Sequence, residues 1–268
     1  MALPRHVLVY KLRAFLLALS VFSVFALVVG MLAWSRWYPG YLFTLDGGLQ
    51  GLRIVLTVDF VLGPILALVF FHPEKSRGKL VFDIVVISLL QLGAMGWGAW
   101  QVWDQRPLAV VFGNHRFISV APDIMRRQHE TPVTLARFPD GTPPFIFRRE
   151  PRTREESARL VSMLMRYGYH PEAQAWLFEP LAPNREQVFQ RQAATQAFVR
   201  QELWPAWQAW AQRRDRQAPE DYRLAFFEGR FGGALLVFSP AGELLGHLPL
   251  GDEPLPDLAP GLTAAVSR

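Results

Sequence analysis

The chain has 268 residues, a formal net charge of +5 and no cysteine, so disulfides, thiolate metal sites and cysteine nucleophiles are excluded. The charge is uneven: through Trp103 there are 8 Lys+Arg against 4 Asp+Glu, and from Asp104 onward 20 Arg against 19 Asp+Glu. The basic excess therefore flanks apolar runs near the start and does not form the basic face of a nucleic-acid binder.

Three apolar runs occupy the first hundred residues. Arg5, Lys11 and Arg13 precede the run 14–34, which is too long for a signal-peptide core and ends in a poor cleavage pair, Met31 and Ala33. Ser20, Ser23, Leu27 and Gly30 line one side of it. The second run, 54–71, reaches roughly 27 Å as a helix, about the hydrocarbon thickness of a bilayer. It carries Asp59, with Gly63 and Ala67 following on the same face, and Pro64 predicts a kink. A carboxylate at membrane depth costs at least about 2.5 kcal/mol, so Asp59 needs a partner, a proton or water. The third run, 80–103, places Asp83, Ile87, Gln91, Ala94 and Gly98 along one face. These small-residue faces pack the three helices together or dock a helix of another protein.

Lys75, Arg77 and Lys79 lie between the second and third runs, whereas the loop before the second holds only Arg36 and Arg53. The positive-inside rule then places the N-terminus in the cytoplasm and the C-terminal part outside. Trp34, Trp37, Tyr38, Trp97, Trp100 and Trp103 are expected in an aromatic belt at the outer interface. Asp59 and Asp83 fall in opposite leaflets, and only Gln91 offers a polar group between them, which disfavours a conduit.

From Pro107 the pattern is that of a separate domain. Two short apolar runs flanking Gly113-Asn114 predict a β-hairpin. Prolines up to Pro151 predict irregular or edge-strand chain, and Thr153-x-x-Glu156 opens a helix to about Tyr167. A second helix is expected from Asn184 and Gln187 through Trp204, Trp207 and Trp210, broken near Pro205. Strands 222–228, 234–239 and 243–248 complete an antiparallel meander. The fold class is thus a membrane protein with three transmembrane helices (1–105) followed by an α+β domain with antiparallel strands (106–268). Arg148, Arg149, Arg152 and Arg154 form a dense basic patch, read as a solvated surface with anion binding as the alternative. The six histidines show no metal-ligand spacing, and neither a Walker A sequence nor a Gly-x-Ser-x-Gly elbow occurs. No cofactor, metal or catalytic set is expected.

Several ordered motifs resemble a known family. Trp37-Tyr38-Pro39-Gly40, then Asp46-Gly47-Gly48-x-Gln50-Gly51-x-Arg53-Ile54, then Val58-Asp59-x-Val61-Leu62-Gly63-Pro64, then Pro73-x-Lys75-Ser76-Arg77 resemble the TfpX/TfpZ (FimB-like) family of type IV pilin accessory proteins. Asp83, Ile87, Gln91, Arg106-Pro107-x-Ala109-x-Val111-Phe112 and Arg116-Phe117 continue the likeness. The resemblance spans roughly residues 37–120; beyond them it is general, an Arg-Phe-Gly-Gly turn between strands. It implies a bacterial inner-membrane protein that supports the stability or assembly of the major type IV pilin, without catalysis. Its expected partners are that pilin, the bilayer and other pilus components. A membrane enzyme modifying pilin, for example by glycan transfer near Asp46 and Asp59, is the alternative. The residues singled out for interaction or structure are Asp46, Gly47, Gly48, Gln50, Arg53, Asp59, Gly63, Pro64, Ala67, Asp83 and Gln91.

Overall fold

The computed structural model describes residues 20, 23–57, 77–129, 132–138, 141–168, 170–212, 214 and 218–251. The chain divides into two compact units. One takes the chain up to Phe43 and from Gly47 to Asp104; the other takes Thr44–Asp46 and everything from Gln105.

The first unit is helical. Helix α1 (Ser23–Trp37) ends in a π turn over Ala33–Trp37. A single turn, α2 (Leu42–Leu45), leads to helix α3 over residues 48–57 and, later in the chain, to α4 (Arg77–Asp104). Among the described residues one helical stretch, Val85–Asp104, is long and apolar enough to cross a membrane, and 11% of it is buried. A core helix of a water-soluble domain would be covered; here Leu89, Leu90, Leu92, Trp97 and Trp100 are all exposed. Three transmembrane helices are not shown. The second expected span lies mostly outside the described residues, as do the first nineteen residues of the chain.

Small residues bring these helices together. A Cβ on Gly51 would come within 2.9 Å of Val102, one on Gly98 within 3.0 Å of Val55, and one on Gly30 within 3.4 Å of Leu52. Gly98 and Gly30 thus belong to packing faces inside the unit. Tyr38 corrects the aromatic-belt expectation: it is buried and donates its hydroxyl to the Val102 carbonyl at 2.9 Å. Trp34, Trp97 and Trp100 are exposed.

The second unit is a seven-stranded sheet in the order β4-β3-β1-β2-β5-β6-β7. Strands β1 (Ala109–Gly113) and β2 (Arg116–Val120) form the expected hairpin, with Asn114 and His115 as turn residues at φ 51° and 65°. Positive φ at both central positions matches the right-handed twist of a two-residue hairpin. Strands β3 (Phe145–Arg148) and β4 (Phe178–Pro180) extend one side. The meander β5 (Arg223–Glu228), β6 (Gly233–Phe238) and β7 (Leu244–Pro249) extends the other. The sheet is mixed, which corrects the purely antiparallel expectation: β1 pairs with β3, and β2 with β5, in parallel. Both parallel pairings join strands distant in sequence, for which no local turn signal exists.

Register assigns the faces, since paired residues project to the same side. Ala109, Val111, Val120 and Ile146 share one face with Leu224, Phe226, Leu235 and Val237. There they pack against α5 (Pro122–Arg127), α8 (Gln192–Glu202) and α9 (Trp204–Ala211). The tryptophan stripe belongs to this core: Trp207 is fully buried, with Trp210 and Tyr222 against it. The opposite face carries an aromatic layer of Phe112, Phe117, Phe145, Phe147 and Phe238. The expected long helix from Asn184 is instead a short α7 (Arg185–Val188), a turn and α8, with a break at Leu203 before α9.

Candidate functional site

The motif Asp46-Gly47-Gly48 divides after its first residue between the two units. Asp46 is completely buried in the sheet unit. The Ser119 hydroxyl, on the Phe117 face of β2, donates to Asp46 Oδ1 at 2.5 Å, and the Arg230 backbone N–H donates to the same oxygen at 3.3 Å. Arg230 Nε stands 3.9 Å from it, while the two terminal nitrogens of that guanidinium donate to Gln105, one to its carbonyl at 2.6 Å. Burial pushes the Asp46 carboxyl above its ordinary value, opposed by the Ser119 hydrogen bond and by the charge and N–H of Arg230. Asp46 Oδ2 is buried and has no hydrogen-bond partner among the described residues.

The neighbouring backbone completes the clamp. Phe231 N–H donates to the Leu45 carbonyl at 2.9 Å. Gly229 passes so close that a Cβ there would stand 2.4 Å from the Leu45 oxygen, and one on Gly232 would touch the Leu45 side chain at 3.1 Å. The turn between β5 and β6 is glycine-rich because a foreign piece of backbone lies against it. Residues 44–46 are therefore held by a serine, an arginine and two glycines that lie 73 to more than 180 positions away.

The other residues of the motif serve the helical unit. Gly47 adopts φ 108°, a backbone region that side chains disfavour. A Cβ on Gly48 would meet Phe43 Cδ2 at 2.7 Å and the Tyr38 ring at 3.0 Å. Gln50 is partly buried and Arg53 is exposed on α3. Gln91 is half-buried on α4; Asp83 lies in the same helix, its side chain outside the described set. Asp59, Gly63, Pro64 and Ala67, the expected membrane face, lie outside the described residues.

Ser119 gave no signal in the sequence, being one hydroxyl in a strand. Arg230 and Gly232 did, as part of the Arg-Phe-Gly-Gly turn, but nothing there names Asp46 as their partner. The arginine patch is corrected. Arg148 is buried and paired with Glu150, Arg149 is chelated by Glu156 at 2.7 and 2.8 Å, and Arg152 pairs with Glu179. Arg148 and Arg149 are thus drawn into the unit, while Arg152 and Arg154 are exposed, as a solvated surface would have them. Among the described residues no three His, Asp or Glu side chains converge as a metal site would require.

No family model and no solved structure matches the chain. Curated relatives do. The fimbrial assembly protein of Dichelobacter nodosus serogroup I is 31% identical over 98 residues, 37% of each chain. That of serogroup E1 is 26% identical over 122 residues, 46% of this chain and 44% of its own. That of serogroups C1 and C2 is 31% identical over 98 residues, which cover 37% of this chain and 72% of the relative. The chain belongs to the fimbrial assembly protein family. It matches less than half the length of the first two of these fimbrial assembly proteins.

Proposed function

We propose that this fimbrial assembly protein takes part in building a type IV pilus, as an inner-membrane accessory or chaperone of the TfpX/TfpZ kind that binds pilin directly. The observation that carries the reading is the similarity to proteins named for fimbrial assembly, joined to a long apolar helix whose sides are open. In this reading the N-terminus is cytoplasmic, as the lysine distribution favours, and the sheet unit is periplasmic. The exposed apolar side of α4 meets lipid or the apolar helix of pilin. Its action is binding without covalent change. Two modest contacts, one in the bilayer and one outside it, suffice because linkage raises the effective concentration of the second.

The test is photocrosslinking in the native host from Leu89 and Trp97, which are exposed on α4, combined with deletion of the gene. Expected are a pilin adduct from at least one position and, on deletion, less pilin or fewer surface pili with pilin mass unchanged. A changed pilin mass would replace this reading by an enzyme. Normal piliation on deletion, with no adduct, would refute it.

A further inference from the structure

Helix α6 (Arg154–Tyr167) is fixed at both ends and buries none of its side chains. At the start, Thr153 Oγ1 accepts the Glu156 N–H at 3.1 Å, while Glu156 accepts from the Arg152 N–H and from both terminal nitrogens of Arg149. At the end, Gln128, itself buried, donates to the Tyr167 carbonyl at 3.1 Å and is locked by Gln174 at 2.7 Å. A surface helix held this firmly has already paid the ordering cost that binding exacts.

Its inner side, Leu160, Met163, Leu164 and Tyr167, is half-covered. Outward runs a ridge of Ala158, Val161 and Met165, at steps of three and four residues, with Met165 85% exposed and Val161 59%. Arg159 is taken up by the Trp176 ring at 4.7 Å. Glu155 and Arg166 are exposed and make no ion pair among the described residues. They are eleven residues apart, three helical turns, and so stand on the same flank of the ridge, about 20° from one another down the axis.

That placement is self-complementary. When two copies of a helix pack antiparallel about a two-fold axis, like flanks face each other and the start of one lies beside the end of the other. With Glu155 opposite Arg166 of the second copy, the reciprocal pair forms as well, and the axis passes between Leu160 and Val161. The ridge of each copy then covers that of the other, with an ion pair at both ends. A parallel pairing would leave both charges unmatched. We propose that α6 is a self-association surface, joining two copies of this chain through antiparallel α6 helices.

The test uses the full-length chain in cells, where the absence of cysteine gives a clean background. Val161→Cys should give a disulfide-linked dimer on mild oxidation, and Gln201→Cys, on exposed α8 surface, should not. Added to Val161→Cys, Glu155→Arg or Arg166→Glu alone should each lower the dimer yield roughly fivefold, the effect of losing two exposed ion pairs and gaining repulsion. The two together should restore it. The double variant places both charges against the helix dipole, so its recovery is not explained by a more stable α6. Equal dimer from both cysteine positions, no dimer from Val161→Cys, an adduct of another protein's mass, or failure of the double variant to recover would each overturn the proposal.

Discussion

Replacing Asp46 by alanine should loosen the sheet unit by an amount its contacts set. The substitution orphans the buried Ser119 hydroxyl and the Arg230 N–H, both of which donate to Asp46 Oδ1. A buried donor left without a partner costs about 1–3 kcal/mol. Removing a carboxylate that is itself poorly solvated gives some of that back, leaving a net loss of about 2–4 kcal/mol. For a unit of about 160 residues this lowers the Tm by about 5–15 °C. Tryptophan fluorescence of the full chain in detergent reports it, because Trp207 is buried in that unit. Asp46→Asn separates charge from shape. Burial raises the Asp46 pKa in the folded chain, so the folded state holds the proton more tightly than the unfolded one. Its contribution is fully present below the unfolded value, about 3.9, and is lost as pH rises through the folded value. Wild type should therefore lose ground to Asp46→Asn as pH rises from acid to neutral. A Tm unchanged to within about 2 °C in the alanine variant would refute the clamp. Wild type gaining on the asparagine variant with pH would refute the dominance of burial over Arg230.

Gly229→Ala tests the same clamp from the other side. Its new Cβ would stand 2.4 Å from the Leu45 oxygen, a backbone atom unable to swing away. An overpacking loss of about 1–3 kcal/mol is expected in the same melt, and a wild-type Tm would show that residues 44–46 do not rest on this turn. Glu156→Gln addresses α6. The Arg149 side-chain hydrogen bonds hold Glu156 down to about 2, so its stabilisation is present above the ordinary glutamate range and is lost as pH falls toward that value. The variant should be less stable than wild type at neutral pH and should approach it on acidification. A difference between the two that stays constant with pH would refute the ion pair.

The local elements were legible because their causes are local. Thr153 and Glu156 announced α6, and Asn114 marked the first hairpin turn. The apolar run of α4 and the close-packing role of Gly98 followed equally from periodicity and residue size. The tertiary structure decided what joins across the chain. No spacing pairs β1 with β3, or β2 with β5, since a parallel partner is reached by a long crossover without a turn signature. The arginines that read as one patch were separated by folding, Arg148 turned inward and Arg149 given to Glu156 and Glu179. Asp46 shows the division most sharply. By itself the sequence showed an acidic residue before two glycines, in a loop beside an apolar run, as part of a family-like motif. Only the fold brought Ser119 and Arg230 to it, because a buried carboxylate must find its donors wherever the chain has left them.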